Sequence, residues 1–275
     1  MNDRRLTPSN ARVAHLSLKG SVTGKRFVAG KWARLVSPIA DLLSAPQGRR
    51  DRQVLMGERF LVLERHAGFG FVQAEKDGYC GYLPLTTLGE DRAATHWVAV
   101  PATHLYAGPD IKERDYAMLS QGARLTVATE HAWFFETDTG AFVPRRHLRA
   151  VGDWLNDPAS VAESYLGTPY LWGGNSRSGI DCSGLVQAAL LACGIPCPGD
   201  SDLQMARLGR KLSAGSACQR GDLLFWKGHV AMAVDARRMI HANAFSMAVT
   251  HEDIAQATAR IAAQGDGPVL AVKRP

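Results

Sequence analysis

An α+β chain is predicted, in which two small all-β barrels precede a domain that mixes helices with a sheet. Three observations point to it: an internal repeat of short alternating strands over the first 150 residues, an apolar helical run opened by Cys182, and two histidines, His229 and His241, in strand-like surroundings. A chain of 275 residues is long enough for three such cores, though barrels of roughly 60 residues are only marginally so.

The repeat pairs SPIADLLSAP (37–46) with VPATHLYAGP (100–109), and GERFLVLERHAGFGFVQAEKDGYCGYLPLTTL (57–88) with GARLTVATEHAWFFETDTGAFVPRRHL (122–148). Each copy reads as apolar strand, proline turn, glycine-led strand, aromatic strand and a closing G-Y-L-P or A-F-V-P. Short strands at this spacing suit a small barrel, and a duplicated set suits two. They look like bacterial SH3-like domains. The expected boundaries are a basic leader over 1–32, barrels over 33–92 and 93–150, and the mixed domain over 151–275, with residues 151–159 as the join.

Asp181-Cys182-Ser183-Gly184 stands before the apolar run Leu185 to Gly194, which puts a thiol on the first turn of a helix. Free backbone N–H groups and the helix dipole favour a thiolate there, so a depressed thiol pKa is expected, and the same N–H groups can hold an oxyanion. The carboxylate of Asp181 opposes this unless it is engaged as the helix N-cap. Such a thiol needs a base. His229 in GHVAMAV and His241 in MIHANAF lie downstream on expected strands. An isolated strand histidine is more often a half-buried structural residue; two of them after a helix-start cysteine favour catalysis.

Five blocks occur in an order that resembles one family: GTPYLWGG (167–174), DCSGLVQAAL (181–190), GDSDLQ (199–204), RGDLLFWKGHVAMAV (220–234) and MIHANA (239–244). They are similar to the NlpC-type cysteine peptidases, which share a papain-like fold and cut peptides of the bacterial cell wall. The resemblance implies Cys182 as nucleophile, His229 as general base, His241 as the residue that orients that base, and Tyr170 as partner of the Cys182 N–H in holding the oxyanion. The chemistry fits these roles. A thiolate attacks the carbonyl, one imidazole carries the proton to the departing amine, and a second polar group fixes its tautomer.

Substrate contacts implied by the same resemblance are Asp181, Ser183, Trp172 and the pair Asp200 and Ser201. That pair commonly follows Pro-Arg in the family, whereas this chain reads Pro198-Gly199, so no arginine contact is expected. Asp200 also suits a helix N-cap. Members that recycle murein peptides use a barrel tyrosine and nearby acids to meet the substrate's free amino group, and the matching residues are Tyr79 with Glu75 and Asp77. The implied reaction is hydrolysis of the γ-D-glutamyl to L-diamino acid bond in a short free-amine murein peptide. Two alternatives of other kinds are an extracytoplasmic hydrolase of intact peptidoglycan and a non-catalytic wall-binding module.

Cys80, Cys182, Cys193, Cys197 and Cys218 are odd in number and scattered, which is no disulfide framework. Cys193 and Cys197 lack a second close pair, so neither a metal site nor a cofactor is expected. Residues 1–20 have no apolar core or small-residue cleavage site of a secretory signal, and no run reaches the ~20 apolar residues of a membrane span. A cytoplasmic location without membrane contact is therefore expected, with a murein-derived peptide as substrate. Residues 1–52 hold eleven Lys or Arg against three Asp within a net charge of +6. Such a stretch is usually a solvated face and can steer acidic substrates; no nucleic-acid motif accompanies it, so that partner is not expected.

Overall fold

The computed structural model describes residues 3–213 and 215–275, so Met1 and Asn2 of the leader lie outside the described residues. Two compact units form, Met1–Val151 and Gly152–Pro275.

In the first unit, the first repeat copy builds a seven-stranded antiparallel sheet. Its order is Arg50–Leu55, Ile39–Leu43, Cys80–Pro84, Phe69–Ala74, Arg59–His66, Lys31–Leu35, Leu88–Gly89. Leu35, Leu42, Val54, Phe60, Val62, Val72 and Leu83 face one core, as alternation along half-buried strands requires. Lys31–Leu35 crosses the boundary expected at residue 33, so the barrel begins ahead of its repeat motif. The second copy forms a five-stranded and a three-stranded sheet around Val98, Leu105, Leu119, Leu125, Phe135 and Val143.

The closing motifs behave alike. Cys80–Pro84 and Phe142–Pro144 each run into one turn of 3-10 helix, Leu85–Thr87 and Arg145–His147, and then into a short strand, Leu88–Gly89 and Leu148–Ala150. The two prolines cap those turns with φ of −56° and −54°, close to the value their rings impose.

The described part of the leader is not a solvated basic tail. Val13–His15 pairs in parallel with Arg26–Val28, and Val13 packs with Leu61, Leu63, Phe71 and Cys80. Arg12 binds Glu64 through Nε at 2.7 Å, and Arg4 forms a two-point ion pair with Asp51. Two of its basic residues thus answer acids of the barrel, which leaves less free positive surface than the residue count implied.

Among the described residues the second unit holds four helices, α1 (Pro158–Glu163), α2 (Cys182–Ala192), α3 (Ser201–Arg207) and α4 (Ile254–Ala263). Its six-stranded antiparallel sheet has the order Arg210–Lys211, Ala271–Arg274, Leu223–Trp226, His229–Ala233, Arg238–Asn243, Ala248–Asp253. Leu224, Trp226, Ala231, Ala233 and Met239 pack with Ala257 and Ile261 of α4. The alternate residues Phe225, Val230 and Met232 are buried as well, and α2 packs against His229–Ala233. Burial on alternate faces explains why these strands read as nearly continuous apolar runs. Among the described residues, no helix is long and apolar enough to cross a membrane.

Candidate active site

The site begins at the N-terminus of α2, where Asp181 is the N-cap. Its Oδ1 accepts from the Gly184 N–H at 2.7 Å and from the Ser183 hydroxyl at 3.0 Å, while Oδ2 accepts from the Gly173 N–H at 2.9 Å. Capping by Asp satisfies helix N–H groups that have no partner within the helix. Gly184 is required by a close approach: a Cβ there would stand 2.5 Å from the Gly174 carbonyl oxygen. Gln204 of α3, fully buried, lies with Nε2 at 2.9 Å from the carbonyl oxygens of both Ser183 and Gly199. It ties the start of α2 to the loop that ends in Asp200 and Ser201. Asp200 occupies the N-cap position of α3 without a side-chain capping bond, and Ser201 is the first helical residue.

Cys182 heads α2 as expected, but its thiol is not depressed. The residue is only 7 % exposed, and burial, reinforced by Asp181, pushes the thiol up to about 12. The backbone N–H groups of Val230, Ser183 and Cys182 pull the other way and are outweighed. Desolvation of a thiolate costs more here than the helix terminus returns. The expectation of a low thiol pKa therefore fails for the substrate-free protein, in which Cys182 rests as a neutral thiol.

Val230, whose N–H favours the thiolate, adjoins His229 at the start of the strand that packs on α2. His229 Nε2 lies 2.8 Å from His241 Nδ1, and His241 Nε2 lies 2.6 Å from Glu252 Oε2. Arg260 of α4 closes the chain, with Nη2 at 2.5 Å from Glu252 Oε2 and Nε at 3.2 Å from Oε1. Burial lowers His229 to about 3, with help from His241 and Arg260. Burial also lowers His241, against the pull of Glu252. Burial would raise Glu252, yet Arg260 and His241 prevail and hold its carboxyl below the ordinary range. Both rings thus rest neutral beside an ionised acid. Sequence reading found the two histidines but missed Glu252 and Arg260, because strand Ala248–Asp253 reaches His241 only through the hairpin register that sets Met239 opposite Glu252.

Tyr170 bridges to Ile180, and its N–H donates to the Met247 carbonyl at 2.9 Å. Burial, together with the nearby charges of Cys182 and Asp181, raises its phenol, which stays protonated and able to donate. Trp172 is 70 % exposed on the loop leading to Asp181. Tyr79 and Glu75 belong to the first barrel. Tyr79 is buried in its core with the Arg52 guanidinium 5.3 Å from its ring, and Glu75 is ion-paired with Arg59 at 2.8 Å. Asp77 pairs with Arg52 at 2.7 Å.

A buried cysteine at a helix start, packed against a sheet that presents hydrogen-bonded histidines, defines a papain-like thiol hydrolase. Residues 167–262 match the NlpC/P60 family, and residues 42–88 match the bacterial dipeptidyl-peptidase SH3 domain. The chain is a cysteine peptidase that carries an NlpC/P60 domain with a bacterial SH3 domain ahead of it. A γ-D-glutamyl-L-lysine dipeptidyl-peptidase of Bacillus cereus is 28 % identical over 77 % of this chain and 72 % of its own length. Its namesake from Bacillus subtilis is 29 % identical over 69 % and 71 %. The crystal structure of an NlpC/P60 family protein from Bacillus cereus shares the fold, with a TM-score of 0.74 at 21 % identity over 89 % of this chain and 99 % of that one.

Proposed function

We propose that the protein hydrolyses the γ-D-glutamyl to L-diamino acid bond of short murein peptides that carry a free L-Ala amino group, within cell-wall peptide recycling in the cytoplasm. One observation carries the reading. The two relatives named γ-D-glutamyl-L-lysine dipeptidyl-peptidases match 77 % and 69 % of the chain, more than the catalytic unit alone contains, so their likeness includes the barrel region. Relatives named as endopeptidases, such as the muramidase/DL-endopeptidase of Bacillus subtilis, match about a third of it.

In this reading Cys182 Sγ forms a bond to the γ-carbonyl carbon of D-Glu while its proton passes to His229, and the oxyanion is met by the Cys182 N–H and the Tyr170 hydroxyl. The C–N bond then breaks, and His229 returns the proton to the departing amine of the diamino acid. Water attacks the thioester with His229 as base, which releases L-Ala-D-Glu and restores the thiol. A neutral resting thiol supports transfer of the proton as the carbonyl is engaged rather than a standing ion pair. Asp181, Ser183, Trp172, Asp200 and Ser201 are assigned to the substrate; Tyr79 is buried in the barrel core and Glu75 is paired with Arg59, so neither is assigned a contact.

The test is incubation with L-Ala-γ-D-Glu-L-Lys, with the diaminopimelate analogue and with intact murein, and identification of the products by mass spectrometry. Release of L-Ala-D-Glu from the tripeptides, absent in Cys182→Ala, is expected. Preferential cleavage of intact murein would overturn the proposal in favour of a wall hydrolase.

A further inference from the structure

We infer that Glu252, held by Arg260, is a positioning residue that selects the tautomers of His241 and His229 and thereby leaves Nδ1 of His229 as the basic atom. The inference rests on Cys182 and His229 as the reacting pair.

An ionised carboxylate only accepts hydrogen bonds, so at 2.6 Å from Glu252 Oε2 the Nε2 of His241 must carry the hydrogen. A neutral imidazole has one N–H. His241 Nδ1 is therefore bare and accepts, and His229 Nε2, 2.8 Å away, must donate to it. That leaves His229 Nδ1 without hydrogen, free to take the thiol proton. One acid sets two rings. With the opposite tautomer at His241, the Nε2 of His229 would have to accept, its Nδ1 would carry hydrogen, and no base would remain.

Arg260 determines that the acid stays ionised. Its guanidinium grips both carboxylate oxygens and lies 4.3 Å from the centroid of the Phe245 ring. When His229 becomes imidazolium, the carboxylate two hydrogen bonds away offsets the new charge, and Arg260 limits how far. Besides each other, the charged groups acting on this pair of rings are Glu252 on the outer strand and Arg260 on α4. Glu163 of α1 is paired instead with Arg220 at 2.6 Å and lies 3.4 Å from His251.

The experiment combines tautomers with kinetics in the full chain. Nitrogen-15 spectra of histidine-labelled protein near neutral pH, assigned with His229→Gln and His241→Asn, should show hydrogen on Nε2 and none on Nδ1 in both rings. Hydrogen on Nδ1 of either ring overturns the inference. With L-Ala-γ-D-Glu-L-Lys, Glu252→Leu should lower kcat about tenfold to a hundredfold and leave KM within about twofold, because orientation of the base is lost and binding is not. Glu252→Gln keeps an acceptor and loses the charge, so it should retain more kcat than the leucine variant. Its acid limb should move to lower pH, since an uncompensated Arg260 makes His229 a weaker base. Adding Arg260→Met should move that limb back. A folded Glu252→Leu with wild-type kcat, or a glutamine variant whose acid limb stays put, refutes the role; if the leucine variant does not fold, the spectra and the glutamine series decide. Activity in Cys182→Ala would sink the reacting-pair reading separately, since the tautomers are read without substrate.

Discussion

Gly184→Ala probes how tightly the position of the nucleophile is built. The new Cβ would stand 2.5 Å from the Gly174 carbonyl oxygen, 3.2 Å from Asp181 Oδ1 and 3.3 Å from Asn175 Oδ1. A carbon–oxygen contact is comfortable near about 3.3 Å, so roughly 0.8 Å of movement is needed. Gly174 has little room to yield. Its oxygen accepts from the Asp181 N–H at 3.1 Å, and its own Cα is crowded enough that a Cβ would meet the Gly179 oxygen at 2.5 Å. The start of α2 must therefore shift and take Cys182 with it. Overpacking costs about 1–3 kcal/mol and alanine returns about 1 kcal/mol of helix propensity, for a net loss of about 0–2 kcal/mol. The effect on rate should be larger, because a displacement near 1 Å at a reacting group costs on the order of a hundredfold, so kcat should fall about ten- to a hundredfold. Steady-state kinetics on L-Ala-γ-D-Glu-L-Lys beside thermal unfolding would measure both. Wild-type kcat with an unchanged Tm would refute the reasoning.

His229→Ala should lower kcat by roughly 10²–10⁴-fold, while His241→Asn should be milder because an amide oxygen can accept the same ring hydrogen; equal loss in both would show that His241 does more than orient. In pH-dependent unfolding, His229 folded at about 3 against about 6.5 unfolded means that the unfolded chain binds the proton first, so stability should drain as pH falls from about 6.5 towards 3, with a shallower slope in His229→Gln. At alkaline pH the sign reverses for Cys182: a thiol at about 12 folded and 9.0 unfolded makes stability fall as pH rises through that interval, less so in Cys182→Ala. Iodoacetamide labelling of Cys182 in substrate-free enzyme should likewise keep increasing above about pH 8 rather than level off below neutrality, as read by peptide mass spectrometry.

Much of the fold was legible because its signals are local. The repeated closing motif led in both copies to strand, 3-10 turn and strand, and the apolar run after Asp181 became α2. The histidines fell on strands His229–Ala233 and Arg238–Asn243 because alternation carries that information directly. What was missed depends on contacts distant in sequence. Burial of Cys182 under packed elements reversed its expected acidity, and no local motif reveals that desolvation. Glu252 and Arg260, eight positions apart on a strand and a helix, meet His241 only after the hairpin and α4 have docked. The leader read as basic and solvated because its partners, Asp51 and Glu64, lie 47 and 52 residues further along.

Trapping the acyl-enzyme joins nucleophile and bond in a single observation. Wild-type protein is mixed with excess L-Ala-γ-D-Glu-L-Lys, quenched in acid within the first turnovers, digested and mapped by mass spectrometry. The Cys182 peptide should carry an L-Ala-D-Glu acyl group as a thioester, and free lysine should appear in the same burst. An adduct on another residue, an adduct of L-Ala alone, or turnover with no thioester at Cys182 would contradict the account.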